Sequence, residues 1–257
     1  MAYRSSIEAL KKSNISIEQI DMIIVATTTP ERKFPSSAVL LQNKMNIAQG
    51  FAFDINAACT GFVYALDIAD KYIQSGLVKN ALVVGTEKIT SLLDWKDRNT
   101  CVLFGDGAGA VILSASSEPG VLSSTIGSDG SYKDLLTVNT DPEYIEMKGN
   151  DVFKIAVNTM GKLAISTLVK NNMNIDQVDW LIPHQANSRI INAIAKKISL
   201  PMDKVIMTVD KHGNTSAASI PLALDEANTK GLLKKNDIIM FEAFGAGFTW
   251  GSTLLKF

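Results

Sequence analysis

The sequence predicts an α/β protein built from two similar halves. Three observations carry that expectation: an internal repeat, an alternation of strand-like and helix-like segments, and the lack of a flexible linker. Ile17-Glu-Gln-Ile-Asp-Met-Ile-Ile24 parallels Ile175-Asp-Gln-Val-Asp-Trp-Leu-Ile182 at an offset of 175 − 17 = 158 residues. At that offset Ala65-Leu66-Asp67 falls on Ala223-Leu224-Asp225. Gly76-Leu-Val-Lys-Asn80 has a counterpart in Gly231-Leu-Leu-Lys-Lys-Asn236, with one residue inserted. Matches in order at nearly one offset mark a long duplicated unit, not a solenoid. Each copy reads as helix, turn, strand, intervening segment, helix, turn, strand, the pattern of sheets covered by helices.

Taken in order, the elements follow from spacing. Apolar residues three and four apart predict helices near 2–13, 36–45, 60–75, 151–171, 187–199 and 215–229. In the third of these Phe62, Ala65, Leu66, Ala69, Tyr72 and Ile73 form the stripe and Gly76 ends it. Short apolar runs predict strands at 21–27, 51–54, 80–85, 108–114, 121–126, 178–182, 205–209, 237–242 and 248–256, with a loop through 130–142. Ser116-Ser117-Glu118-Pro119-Gly120 is a tight joint and sets halves of 1–117 and 118–257. The repeat also predicts a gap: the counterpart of the strand at 121 would fall at 121 − 158 = −37, before Met1. The first half is thus expected to lack its first strand and to leave a sheet edge unpaired.

Composition narrows the function. The chain has 257 residues, 46% hydrophobic and 20% charged, with a net charge of −1, and its Lys and Arg are dispersed. That excludes a nucleic-acid footprint. No apolar run approaches a membrane span, and Met-Ala-Tyr-Arg-Ser-Ser-Ile-Glu has no signal-peptide core. A cytoplasmic protein with reduced thiols is expected. Cys59, Cys101, His184 and His212 lack the paired spacing of a zinc site, so no metal is expected. Cys101, in Thr-Cys-Val-Leu-Phe, reads as core.

Cys59 is the candidate nucleophile. It lies in Asp54-Ile-Asn-Ala-Ala-Cys-Thr-Gly-Phe62, between a strand and a helix. In the first turn of a helix, free N–H groups and the helix dipole favour an anion and lower a thiol pKa. The alternative is a small buried apolar residue. His184 ends a strand, in Pro183-His-Gln-Ala-Asn187, where α/β folds place ligands, and reads either as functional or as a satisfied surface group. Asn214 opens the helix that is the repeat-mate of the Cys59 helix; an N-cap is its default role. Phe104-Gly-Asp-Gly-Ala-Gly109 and Phe244-Gly-Ala-Gly-Phe248 read as tight turns, the second also as a source of an N–H aimed at an oxyanion.

Together, Ala57-Ala-Cys-Thr-Gly-Phe62, Asp97-Arg98 with Phe104-Gly-Asp-Gly-Ala-Gly-Ala110, Pro183-His-Gln-Ala-Asn187, His212-Gly-Asn-Thr-Ser-Ala217 and Phe244-Gly-Ala-Gly-Phe-Thr-Trp-Gly251 resemble the β-ketoacyl-acyl-carrier-protein synthase III family. The resemblance runs from Met1 to Phe257. It implies a thiolase-like fold, two pseudo-symmetric α/β halves in a layered αβαβα arrangement, and a homodimer. It implies a cytoplasmic acyltransferase that joins a short acyl-CoA to malonyl-acyl-carrier protein and needs no cofactor. Carried over, Cys59 is the acylated nucleophile, and His184 and Asn214 bond the malonyl thioester carbonyl. The backbone N–H groups of Cys59 and Ala246 form an oxyanion hole, although some members have glycine at the position of Ala246. Arg98, Gly149, Phe153 and Asn187 line the coenzyme A and pantetheine path, and Phe34 reaches the partner's acyl pocket. Arg189, Lys196 and Lys197 meet the acidic carrier protein. The segment before Met1 would, in the family, supply a strand and residues that clasp adenine.

Rival readings remain. A degradative thiolase needs a second cysteine late in the chain, and none follows Cys101. A polyketide-type condensing enzyme and a non-catalytic dimer partner are the others. The unpaired edge predicts that the chain alone has low stability. A cooperative thermal melt at high temperature would contradict that.

Overall fold

The computed structural model describes the whole chain, Met1–Phe257. Each half contains a 3-10 turn, Ile17–Gln19 or Ile175–Gln177, closed by a reciprocal capping box between Ser16 and Gln19 or Asn174 and Gln177. Each turn feeds a parallel strand, β1 (Met22–Ala26) inside its sheet or β8 (Trp180–Pro183) at the edge of its own. All five residues of β1 are buried, as a strand covered on both faces requires.

The first sheet has the order β2 (Phe51–Ile55), β1, β3 (Asn80–Lys88), β4 (Asp106–Ser114). The second runs β5 (Val121–Ser128), β10 (Thr249–Lys256), β9 (Ile238–Gly245), β8. In the first sheet β1 and β3 run parallel and β4 is antiparallel to β3; in the second β8 and β9 run parallel and β10 is antiparallel to β9. A small ribbon joins β6 (Leu136–Val138) to β7 (Ile145–Met147).

Alternation of side chains across the strands makes five layers. Ile23 and Val25 of β1 with Leu82 and Val84 of β3 pack under α1 (Ala2–Lys12) and α2 (Ser37–Lys44). From the opposite faces, Met22, Ile24, Ile239 and Phe241 enclose α3 (Gly61–Gln74) and α7 (Ser219–Thr229) between the two sheets. Leu181, Met240 and Leu254 face outward against α4 (Gly149–Lys170) and α5 (Ser188–Lys197). By length and composition α4 could cross a membrane. Here it covers the second sheet and buries Val152, Ala156, Met160, Leu163, Ala164 and Leu168.

Three expectations need correction. Residues 205–209 form no strand, only a single bridge of Val205 to Leu181. The buried Gln185 side chain takes over there: its Nε2 donates to the Ile206 carbonyl, and its Oε1 accepts the N–H groups of Thr208 and Val209. A side chain that satisfies the backbone removes the need for a ladder. The chain then makes a short helix, α6 (Val209–His212). The loop at 130–142 contains β6, and the strand expected at 80–85 runs on to Lys88, which brings Glu87 into the sheet.

The two central helices start back to back. A Cβ on Gly85 would strike the carbonyl oxygen of Ala217 in the turn before α7. Gly85→Ala should therefore cost about 1–3 kcal/mol through overpacking. The expected readout is a lower urea midpoint with an unchanged slope; an unchanged midpoint would refute the close approach.

Candidate active site

Cys59 occupies a 3-10 turn, Ala58–Thr60, that runs directly into α3. An equivalent turn, Ser216–Ala218, runs into α7. The repeat holds residue by residue: 214 − 56 = 158 pairs Asn214 with Asn56, and the same shift pairs Ser216 with Ala58 and Ala217 with Cys59. Asn56 Oδ1 accepts the Ala58 N–H at 3.1 Å, and Asn214 Oδ1 accepts the Ser216 N–H at 2.9 Å. Ala58 and Ser216 both take a left-handed conformation, at φ 47° and 49°. Such backbone persists only where its surroundings hold it.

Several neighbours do so. Leu103 and Gly105 of the first half bond the Asn214 backbone, with the Asn214 N–H to Leu103 at 2.8 Å and the Gly105 N–H to the Asn214 carbonyl at 3.0 Å. On the other side the 245–249 turn presses on Cys59. A Cβ on Gly245 would lie 2.8 Å from the Cys59 nitrogen. Thr249 Oγ1 donates to the Ala57 carbonyl at 2.9 Å. The N–H groups of Cys59 and Ala246 have no oxygen acceptor within the chain.

His184 follows β8 and is buried. Its Nδ1 lies 2.7 Å from Ser219 Oγ, which also accepts the Gln185 N–H at 3.3 Å. The arrangement that uses each hydrogen once has Ser219 donating to Nδ1, which leaves the ring proton on Nε2. Burial pulls the imidazole pKa down to about 4. The ring is therefore neutral near pH 7. With Asn214 Oδ1 engaged, its Nδ2 is the end left to donate.

The thiol departs from the sequence expectation. Burial pushes the Cys59 pKa up to about 11. A hydrogen bond with Ser216 pulls it down, the nearby Glu87 charge pushes it up, and its own N–H pulls it down. Desolvation wins over the turn's dipole because Cys59 is only 8% exposed.

Cys59, His184, Asn214 and Asn187 line one cavity of about 50 Å³, with Phe104 and Phe244 among its walls. Asn187 also caps α5, accepting the Ile190 N–H at 2.9 Å. Gly149 starts α4, and Phe153 lies on it under the Arg189 guanidinium, 5.7 Å from the ring centre. Lys197 is tethered, its Nζ donating to Asn158 at 3.0 Å and its stem lying over Gly161. Lys196 and Arg98 are exposed, and Arg98 lies outside the cavity. Phe34 is 84% exposed and also lies outside it. No group of three or more His, Cys, Asp or Glu is placed to hold a metal ion.

Sequence reasoning missed Ser216, Ser219 and Glu87. Both serines lie within five residues of Asn214, and their sequence signal was visible but unassigned. Glu87 was lost because the expected strand ended two residues short of it.

Comparison with known proteins matches this geometry to a family. The family model described as 3-oxoacyl-[acyl-carrier-protein] synthase III matches residues 53–130, and the model of that family's C-terminal part matches 168–257. A β-ketoacyl-[acyl-carrier-protein] synthase III from Thioalkalivibrio sulfidiphilus is 54% identical over 100% of this chain and 83% of that protein. A crystal structure of 3-oxoacyl-[acyl-carrier-protein] synthase III from Aquifex aeolicus superposes with a TM-score of 0.98 at 48% identity, covering 100% of this chain and 83% of that one. The enzyme from Pseudomonas aeruginosa gives 0.95 at 38% identity, covering 100% and 82%. The fold is thiolase-like. Since both halves match the same family and the relatives span the chain from end to end, this protein belongs to the 3-oxoacyl-[acyl-carrier-protein] synthase III family of condensing acyltransferases.

Proposed function

We propose that the chain performs a decarboxylative Claisen condensation of a short acyl-CoA with malonyl-acyl-carrier protein, through an acyl thioester on Cys59, and so initiates fatty-acid synthesis. The observation that carries this reading is the convergence of Cys59 from one half with His184 and Asn214 from the other on one cavity. We divide the chain into halves 1–117 and 118–257; the change of sheet between Ser114 and Val121 supports that division.

In the first step Cys59 Sγ attacks the acyl-CoA carbonyl and displaces coenzyme A. The N–H groups of Cys59 and Ala246, which lack other oxygen acceptors, are suited to the oxyanion. In the second step the malonyl carboxylate leaves as CO2, and the thioester oxygen gathers negative charge. The neutral His184 Nε2–H and the Asn214 Nδ2–H supply donors that cannot quench the carbanion. That carbanion attacks the acyl-Cys59 carbonyl, and the β-ketoacyl product leaves on the carrier.

Asn187, Phe153, Gly149 and Arg98 belong to the coenzyme A and pantetheine path in this reading. Arg189, already stacked on Phe153, and Lys196 face the carrier protein; Lys197 has to exchange Asn158 to join them. Exposed Phe34, Trp95 and Val102 support a homodimer in which Phe34 enters the partner's acyl pocket. No resident cofactor takes part. Both cysteines are free thiols, in keeping with a reducing cytoplasm.

Cys59→Ala should abolish the acyl-enzyme seen by intact mass on incubation with acetyl-CoA. His184→Ala or Asn214→Ala should leave acylation in place and slow decarboxylation by roughly 100–1,000-fold. An acylated Cys59→Ala protein would remove the assignment. Because the His184 pKa lies near about 4, the decarboxylation step should be level with pH from about 5.5 upward, where the imidazole is uncharged. A rise through pH 6.5 would show a ring titrating at its ordinary value. The thiolate absorbance difference between wild type and Cys59→Ala should grow only in strongly alkaline solution, since the Cys59 pKa lies at about 11. A full thiolate signal at neutral pH would overturn that.

A further inference from the structure

We propose that Glu87 and Ser216 are positioning residues that hold the Asn214 carboxamide with its Nδ2–H turned to the substrate, and so serve the decarboxylation step. This inference rests on the reading of Asn214 as a donor to the malonyl thioester oxygen. An asparagine amide turns easily about its last torsion and can present either end. Only the Nδ2 end stabilises a developing oxyanion; the Oδ1 end repels it.

The Asn214 backbone is set by Leu103 and Gly105. Its side chain is set separately, by the Ser216 N–H, which Oδ1 accepts at 2.9 Å. A flipped amide would point Nδ2–H at that N–H, donor against donor. The orientation of the carboxamide therefore depends on where the Ser216 nitrogen sits. Ser216 is left-handed, at φ 49°, a conformation that needs an anchor. Its Oγ donates to Glu87 Oε1 at 3.1 Å.

Glu87 belongs to the other half, on β3, and is only 1% exposed. It is held from its far side. The Thr27, Thr28 and Thr29 hydroxyls donate to Oε2 at 3.3, 3.0 and 2.8 Å, and the Thr28 N–H bonds both oxygens. The Lys88 N–H donates to Thr29 Oγ1 at 2.7 Å, which leaves the Thr29 hydrogen for Glu87. No Lys or Arg pairs with Glu87. Burying an acid without a cation costs stability, and its neutral donors offset part of that cost. They come from the segment after β1 and, across the halves, from Ser216. Glu87 is thus a clamp between the end of β1 and the Asn214 turn, not half of an ion pair.

The repeat separates this role from that of building the turn. The Asn56–Ala58 turn has the same left-handed residue, at φ 47°, and the same bond, from the Ala58 N–H to Asn56 Oδ1 at 3.1 Å. It forms with no hydroxyl at Ala58 and, since 245 − 87 = 158, with Gly245 in the place of Glu87. Asn56 is exposed, whereas Asn214 is 7% exposed and lines the cavity. The hydroxyl and the carboxyl accompany only the asparagine that faces the cavity.

The test is CO2 release from malonyl-acyl-carrier protein by enzyme already acetylated on Cys59, with the acetylated fraction set by intact mass. Starting from the acyl-enzyme reads the second step alone and removes any effect of a variant on the free thiol. Ser216→Ala and Glu87→Ala should each lower the saturating rate roughly 10–100-fold, with the half-saturating concentration near wild type, as misplaced catalytic groups do. Glu87→Gln keeps an oxygen for Ser216 and should recover part of the rate. In an Asn214→Ala background Ser216→Ala should have no further effect, because the hydroxyl acts through the carboxamide. A general structural role would slow the step in both backgrounds. Wild-type rates in both Ser216→Ala and Glu87→Ala, or a full further loss on top of Asn214→Ala, would overturn the proposal. If Glu87→Ala melts early, Ser216→Ala alone and combined with Asn214→Ala decides. CO2 release at the wild-type rate by Asn214→Ala would defeat the reading of Asn214 itself, a result distinct from failure of the clamp.

Discussion

Two left-handed turns meeting back to back at the centre of the molecule set the terms for everything around them. Each places a backbone N–H, an asparagine carbonyl and a helix start where the halves close on each other, and each polar group buried there needs a partner. Asn56 and Asn214 hold the turns from within. Gly85 and Gly245 let the strands approach so closely that a Cβ on either would meet the opposing backbone. Once that packing is satisfied, two N–H groups, those of Cys59 and Ala246, remain without an oxygen acceptor. The site is what the packing leaves unpaired.

The duplication shows how one scaffold acquired asymmetric chemistry. At the offset of 158, His184 falls on Ala26, Ser219 on Gly61, Ser216 on Ala58 and Ala217 on Cys59. Where the second half has a histidine bonded to a serine, the first has two small residues whose Cβ positions would be 3.1 Å apart. The backbone is the same twice, and the side chains divide the work. One copy supplies a thiol, and the other supplies donors and a hydroxyl.

Burial then decides electrostatics that the local turn would decide otherwise. A helix start favours a thiolate by a modest amount, whereas full desolvation of a sulfur anion costs more. The same dry surroundings keep His184 neutral, which suits it as a donor to a developing oxyanion. A thiol held protonated thus sits in one cavity with an imidazole held uncharged.

The architecture, the repeat and the residues Cys59, His184 and Asn214 were legible in the chain, because apolar spacing and duplicated segments are local properties of sequence. Sequence also placed Cys59 between strand and helix, and it misjudged the consequence. What only the tertiary structure decided is how far water is excluded. Gln185 replaces a strand at 205–209 because its amide reaches across a gap that spacing does not reveal. Glu87 accepts the hydroxyl of Ser216, 129 residues away in the chain, a contact that exists only when the two halves close on each other. Periodicity encodes which face of an element is apolar; the dielectric around a single sulfur depends on everything packed against it.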